Sequence, residues 1–143
     1  MSIQINGFHG EYRWLSNFWP SVVKDEFGIV YQTIEAAYQA AKSSDPQVRS
    51  EIAALPTPGA TKKAGRKVPL PIDWESRKVG IIEDFLRQKF AHHDLREKLL
   101  ATGDAVLVEA NTWNDTFWGV CNGVGQNQLG LSLMKIRSEI INN

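Results

Sequence analysis

The sequence predicts a single α+β domain, mostly helical with a few short β-strands. Three observations carry that expectation. The chain has 143 residues, the ordinary size of one domain and enough to bury a real core. Apolar residues recur at helical spacing in several segments, each bounded by helix-start and helix-stop residues. The β-favouring runs between them are short, and no internal repeat, linker or low-complexity stretch divides residues 1–143.

Residues 7 to 20 are unusually aromatic, with Phe8, Tyr12, Trp14, Leu15, Phe18, Trp19 and Pro20, broken by Ser16-Asn17 as a turn would break them. Such a segment either lines a pocket or caps the core. Asn17 favours the pocket, because an amide between Leu15 and Phe18 must find partners if buried, and a ligand is one kind of partner. Val22-Val23 and Ile29-Val30-Tyr31 flank the charged, glycine-ended stretch Lys24 to Gly28, which predicts a hairpin.

Thr33 then caps a helix from Ile34 to about Lys42, with Ile34, Ala37, Tyr38 and Ala41 at helical spacing. Glu35, Gln39 and Lys42 fall at i, i+4 and i+7 and share one side. That side is either solvated or chemical; the small alanines beside it leave room for close approach. Ser43 to Pro46 stops the helix, and a second short one runs from Pro46 to Leu55. Thr61 to Lys67 follows, four cations around Gly65. This is either a solvated run or a phosphate contact, since glycine admits the backbone and Lys or Arg supplies charge-assisted donors.

Val68 to Trp74 is too rich in proline for an interior strand and reads as an extended loop delivering Asp73 and Trp74. A helix from about Glu75 to Phe90 presents Val79, Ile82, Leu86 and Phe90 to a core, with Lys78 near enough to Trp74 to share its pocket. Asp94 should cap the next helix, which ends at Thr102-Gly103. Ala105 to Val108 forms a buried strand. Gly119 to Gly130 is an amide-rich loop, and Leu131 to Ile141 closes as an amphipathic helix.

Charge and composition exclude several classes. Zero net charge argues against gripping nucleic acid by blanket phosphate neutralisation, although a local basic patch remains compatible. One cysteine, Cys121, rules out an internal disulfide or a cysteine-cluster zinc site and is expected to be a packed thiol. His92-His93 lack partners at metal spacing and read as a surface pair, so neither metal nor cofactor is expected. The amino terminus, Met1 to Gly7, lacks a signal-peptide pattern, and no stretch reaches the roughly 20 apolar residues of a membrane span. A cytoplasmic protein with no membrane partner is the expectation.

The stretch Glu109 to Gly119 concentrates chemistry, with two tryptophans, two asparagines, Asp115 and a glycine directly after an apolar run. Exposed Trp is costly and Asn and Asp favour turns, so the mixture reads as a pocket edge. Together the polar candidates are Asn17, Glu35, Lys42, Arg66, Asp73, Asn111 and Asp115, and the aromatic ones are Phe18, Trp74, Trp113 and Trp118. Aromatic faces with amides suit a planar base or nucleotide. Carboxylates among tryptophans suit glycosidic cleavage, whose transition state resembles an oxocarbenium ion.

Gly10 to Pro20, Thr33 to Lys42, Asp73-Trp74, Asn111 to Gly119 and the closing Gly125 to Arg137 together resemble the NADAR (YbiA-like) family, in order and over most of the chain. The resemblance implies an α+β fold and an N-glycosidase acting on early riboflavin-pathway intermediates or on ADP-ribosylated guanine in nucleic acid. It implies catalytic work for Glu35 and Asp115, with Lys42 orienting Glu35 or attacking an opened sugar. Trp74, Trp113 and Trp118 would stack the base, while Asn17, Asn111 and the Lys62 to Lys67 run would hold sugar and phosphate. Ala36 stands where many members have histidine, and Pro71-Ile72 replaces an Arg-Pro pair, which bears on substrate choice. The competing readings are a module that binds ADP-ribose or NAD without cleaving it, and an interaction domain whose aromatics form a protein interface.

Overall fold

The computed structural model describes residues 3–143. Met1 and Ser2, weighed above for targeting, lie outside them. The chain is α+β and mostly helical, as expected. It forms two compact units, one of residues up to Ser16 with Phe90–Asn143, the other Asn17–Lys89.

In the Asn17–Lys89 unit the hairpin forms as β2 (Val23–Lys24) and β3 (Val30–Tyr31), antiparallel with Val23 opposite Tyr31. Asp25 closes its turn: Oδ1 accepts from Phe27 N at 2.9 Å and Ile29 N at 3.0 Å, and Oδ2 accepts from Tyr31 Oη at 2.6 Å. Arg49 joins from α2 (Pro46–Ala53), donating to Asp25, Glu26 and Ser43 O, so its buried charge is compensated. Asp45 caps α2 with a bond from Gln47 N, and Pro46 stands in the first turn, where its missing N–H costs nothing.

α1 (Ile34–Ala40) starts at Thr33, whose hydroxyl accepts from Ala36 N at 3.1 Å. It is two residues shorter than expected, and Lys42 follows its end. Every residue of α1 is buried, so the solvated-side alternative for Glu35 and Gln39 is overturned. Its neighbours explain this: α1 packs on α2, on α3 (Pro58–Gly65) and on α4 (Trp74–Lys89). α3 corrects the reading of Thr61 to Lys67 as a run around a glycine. Thr57 caps it and Pro58 starts it, while Lys62 and Lys63 occupy its last turn, where cations meet the negative end of the helix.

In the other unit, β1 (Gln4–Asn6) pairs in parallel with β4 (Val106–Val108). β1 was not foreseen, and β4 is half buried, with Leu107 inward and Val106 exposed. The aromatic segment holds a short 3-10 helix, Gly10–Leu15, that buries Trp14 and Leu15, and Trp14 meets Phe90 edge-on at 6.3 Å. α5 (His93–Ala101) begins one residue before the expected cap; His92 takes the cap position without a capping side-chain bond, and Asp94 instead favours the helix from within its first turn. Gly103, at φ +62°, ends it as expected. The amide-rich loop contains β6 (Val120–Cys121), parallel to β5 (Ala110–Asn111), and α6 (Gln128–Ile141) starts three residues early.

Candidate active site

The Asn17–Lys89 unit carries Glu35, Lys42, Asn17, Phe18, Arg66 and Trp74. Glu35 is 8 % exposed, and its Oε1 accepts from Nε2 of Gln39 at 2.7 Å. Gly65 makes that packing close: a Cβ there would lie 1.9 Å from Gln39 Oε1. Asn17 O accepts from Glu35 N at 3.1 Å, which ties the aromatic segment to the start of α1. Asn17 Oδ1 is buried without a hydrogen-bond partner among the described residues. Phe18 beside it is exposed.

Lys42 is half buried, and its Nζ lies 5.7 Å from the centre of the Tyr38 ring. Burial pushes its pKa below the ordinary lysine value; the Glu35 carboxylate opposes that shift, and the Arg66 and Lys62 charges add to it. Lys62 and Arg66 therefore add repulsion at Lys42, which an incoming anion relieves. Arg66 itself is exposed at the end of α3. Trp74 is only 3 % exposed and meets Tyr38 with ring centres 5.3 Å apart. Lys78 pairs with Glu75, and Asp73, at the surface, pairs with Arg77 at 3.3 Å. Beyond Lys42 opens a cleft of about 400 Å³, lined by Lys42, Ser43, Ser44, Arg49 and Arg77 together with Val68 to Pro71. The two serines were read only as a helix stop.

The other unit carries Asn111, Trp113, Asp115 and Trp118. Asn111 is buried and works on its own loop: Nδ2 donates to Asp115 O at 2.8 Å and Glu109 O at 3.3 Å, and Oδ1 accepts from Asp115 N at 3.1 Å and Trp113 N at 3.2 Å. Both ends of the amide are thereby engaged within the loop. Asp115 Oδ1 accepts from Trp118 N at 2.9 Å. Trp118 meets Phe117 edge-on at 4.9 Å, while Trp113 is 59 % exposed. Asn114, at φ +63°, turns the chain between them, a conformation asparagine tolerates better than most residues. Gly119 is obligatory, since a Cβ would sit 2.1 Å from Glu109 O.

Cys121 is buried and unpaired as a disulfide, with Sγ 3.8 Å from Asn114 Oδ1. His92 and His93 are exposed. Among the described residues no helix is long and apolar enough to cross a membrane.

The model of the NADAR domain matches residues 6–141. This chain belongs to the NADAR family. It is 40% identical over 136 residues to N-glycosidase YbiA of Escherichia coli K12, covering 91% of this chain and 82% of that protein. It is 39% identical over 138 residues to an N-glycosidase of Nostoc punctiforme, covering 92% and 87%. A chloroplastic riboflavin biosynthesis protein of Zea mays, PYRR, is 37% identical over 144 residues, which span 88% of this chain and 23% of that longer protein. The solution structure of E. coli YbiA superposes with a TM-score of 0.86 at 36% identity, covering 99% of this chain and 88% of that one. This NADAR chain is an N-glycosidase, a hydrolase of glycosyl bonds.

Proposed function

We propose that the substrate is a ribose-phosphate or ADP-ribose conjugate, either an early riboflavin-pathway intermediate or ADP-ribosylated guanine, and that Glu35 is central to its cleavage. The observation that carries this is the buried Glu35 carboxylate beside Lys42, with Arg66 and Lys62 acting on the same lysine. A carboxylate in a partly dry setting stabilises the cationic character that develops on the sugar as the C1–N bond breaks. The bonding electrons leave with the nitrogen. Water gives its oxygen to C1 and a hydrogen to the departing nitrogen, and the other hydrogen remains on the new hydroxyl.

The cations answer the other end of such a substrate, since phosphate seeks charge-assisted donors. Asn17 Oδ1, buried without a partner, is suited to accept from a sugar hydroxyl or base amine. Lys42 orients Glu35 or attacks an opened sugar; its lowered pKa favours the free amine that such attack requires. The family match over residues 6–141 supports treating both units as one functional domain, within which Asp115, Trp113 and Trp118 belong to the same activity. The riboflavin-biosynthesis name of the maize relative favours the first substrate class.

The test mixes the protein with an aminopyrimidine ribose phosphate or with ADP-ribosylated guanosine and looks for freed ribose phosphate or ADP-ribose by mass spectrometry. Glu35→Gln is expected to lower turnover at least about 100-fold with folding intact. Undiminished turnover in that variant removes Glu35 from the chemistry. Ligand-induced thermal stabilisation without product from either conjugate would favour a binding module instead.

A further inference from the structure

Gln39 lies one turn after Glu35 on α1, joined to it by the 2.7 Å bond from Nε2 to Oε1, and the two are 5 % and 8 % exposed. A donor aimed at a carboxylate favours its ionised form, and more so away from water. The packing fixes the place of the amide, and the carboxylate fixes its sense. Gly65 of α3 presses on it: a Cβ at Gly65 would lie 1.9 Å from Gln39 Oε1, 2.6 Å from Cδ and 2.8 Å from Cβ, so only glycine admits the glutamine in this place. Gln39 Oε1 is also buried without a hydrogen-bond partner among the described residues. Turning the amide over would set that oxygen against the Glu35 oxygen, acceptor against acceptor.

Lys42 acts in the same direction. Lys42, just past the end of α1, is raised by Glu35, so its charge reciprocally favours the carboxylate. From α3, Lys62 and Arg66 act on Lys42. From α2, Arg49 is engaged by Asp25 and Glu26. From α4, Lys78 pairs with Glu75 and Arg77 with Asp73, while Trp74 meets Tyr38.

We infer that Gln39, seated on Gly65, is a positioning residue that keeps Glu35 ionised and in one rotamer, so that Glu35 enters the reaction as base or charge stabiliser and not as the proton donor. The inference rests on the assignment of Glu35 made above. Its test is Gln39→Met, which keeps an unbranched side chain of similar length and removes the donor. The Glu35 carboxyl is followed through a pH titration by carbon-13 NMR of protein labelled at glutamate carboxyls, with Glu35→Gln identifying the signal. In Gln39→Met the Glu35 titration is expected to move up by about one pH unit, and the acidic limb of kcat/KM to move with it, leaving activity to recover at higher pH. A packing defect would lower activity at every pH alike.

Gln39→Glu, equal in length but bearing an acceptor, is expected to raise the Glu35 titration further and serves if the methionine variant does not fold. An unmoved or lowered Glu35 titration in a folded variant overturns the inference, even with Glu35→Gln inactive. An active Glu35→Gln overturns the functional assignment instead, and the NMR titration still reads the effect of Gln39 on Glu35.

Discussion

At Asp115 a structural use and the proposed chemical use of one carboxylate are separable. Its Oδ1 accepts from Trp118 N, which shapes the turn, whereas the proposed role in cleavage would draw on its charge. Asp115→Asn keeps an oxygen that can accept from Trp118 N and discards the charge; Asp115→Ala discards both. A catalytic role predicts that the asparagine variant melts like the parent while turnover falls about 100-fold, and that the alanine variant also loses about 1 kcal/mol of stability. Parental turnover in Asp115→Asn would leave the residue a loop brace. Residue types alone marked this loop, because Trp, Asn and Asp rarely gather without a reason. The partners were not legible: Asn111 reaches its own loop only because Asn114 reverses the chain at φ +63°. Glu35 and Gln39 were legible as neighbours on one side of a helix, since spacing fixes that. Their burial was not, because it depends on α2, α3 and α4 closing over α1.

Elements with start and stop signals were the legible ones. Thr33 and Gly103 act where the sequence placed them, while Asp45, read as part of a stop, also caps α2. α3 also had its signals, Thr57 and Pro58, but between Pro56 and Gly59 they look like the stop of the preceding helix. Strands of two or three residues, such as β1, β5 and β6, carry too little periodicity to detect, and β1 finds its partner β4 far along the chain. Asn127 shows what holds such short strands. Its Oδ1 accepts from Glu109 N and its Nδ2 donates to Leu107 O, each at 2.9 Å, while its backbone sits at φ +55° at the start of α6. Asn127→Ala removes both bonds and retains the unfavourable backbone, so it should cost about 2–4 kcal/mol, read as a lower urea midpoint with an unchanged slope. Asn127→Gly relieves the backbone alone and should recover only part of that loss. Equal stability of the parent and the alanine variant would remove this amide from the structural account.

For the molecule as a whole, zero net charge near neutrality limits general charge repulsion, so individual buried groups can dominate the pH dependence of folding. Lys89, at the end of α4, is the strongest of them. It is fully buried, and burial lowers its pKa from 10.5 to about 7. Between those values the unfolded chain holds a proton that the folded chain does not, so stability rises with pH; below about 7 both states are protonated and the cost of the buried charge is fully present. Two other groups set the edges of this window. Burial raises the Asp25 carboxyl, but the donors from Tyr31, Ile29, Phe27 and Arg49 outweigh it, so its stabilisation is lost only as pH falls below the ordinary carboxylate value of 3.8. Tyr31, raised above its ordinary 10.0 by burial and by Asp25, begins to cost stability once the unfolded phenol ionises. Nothing in the sequence pattern around Lys89 distinguishes it from the other cations of α4, because its burial comes from the packing at the helix end. Urea unfolding across the pH range should therefore show stability climbing by a few kcal/mol between pH 7 and pH 9.5. Lys89→Met should be more stable than the parent at pH 7 and nearly flat over the same interval, and a parental slope in that variant would show that the rise comes from another group.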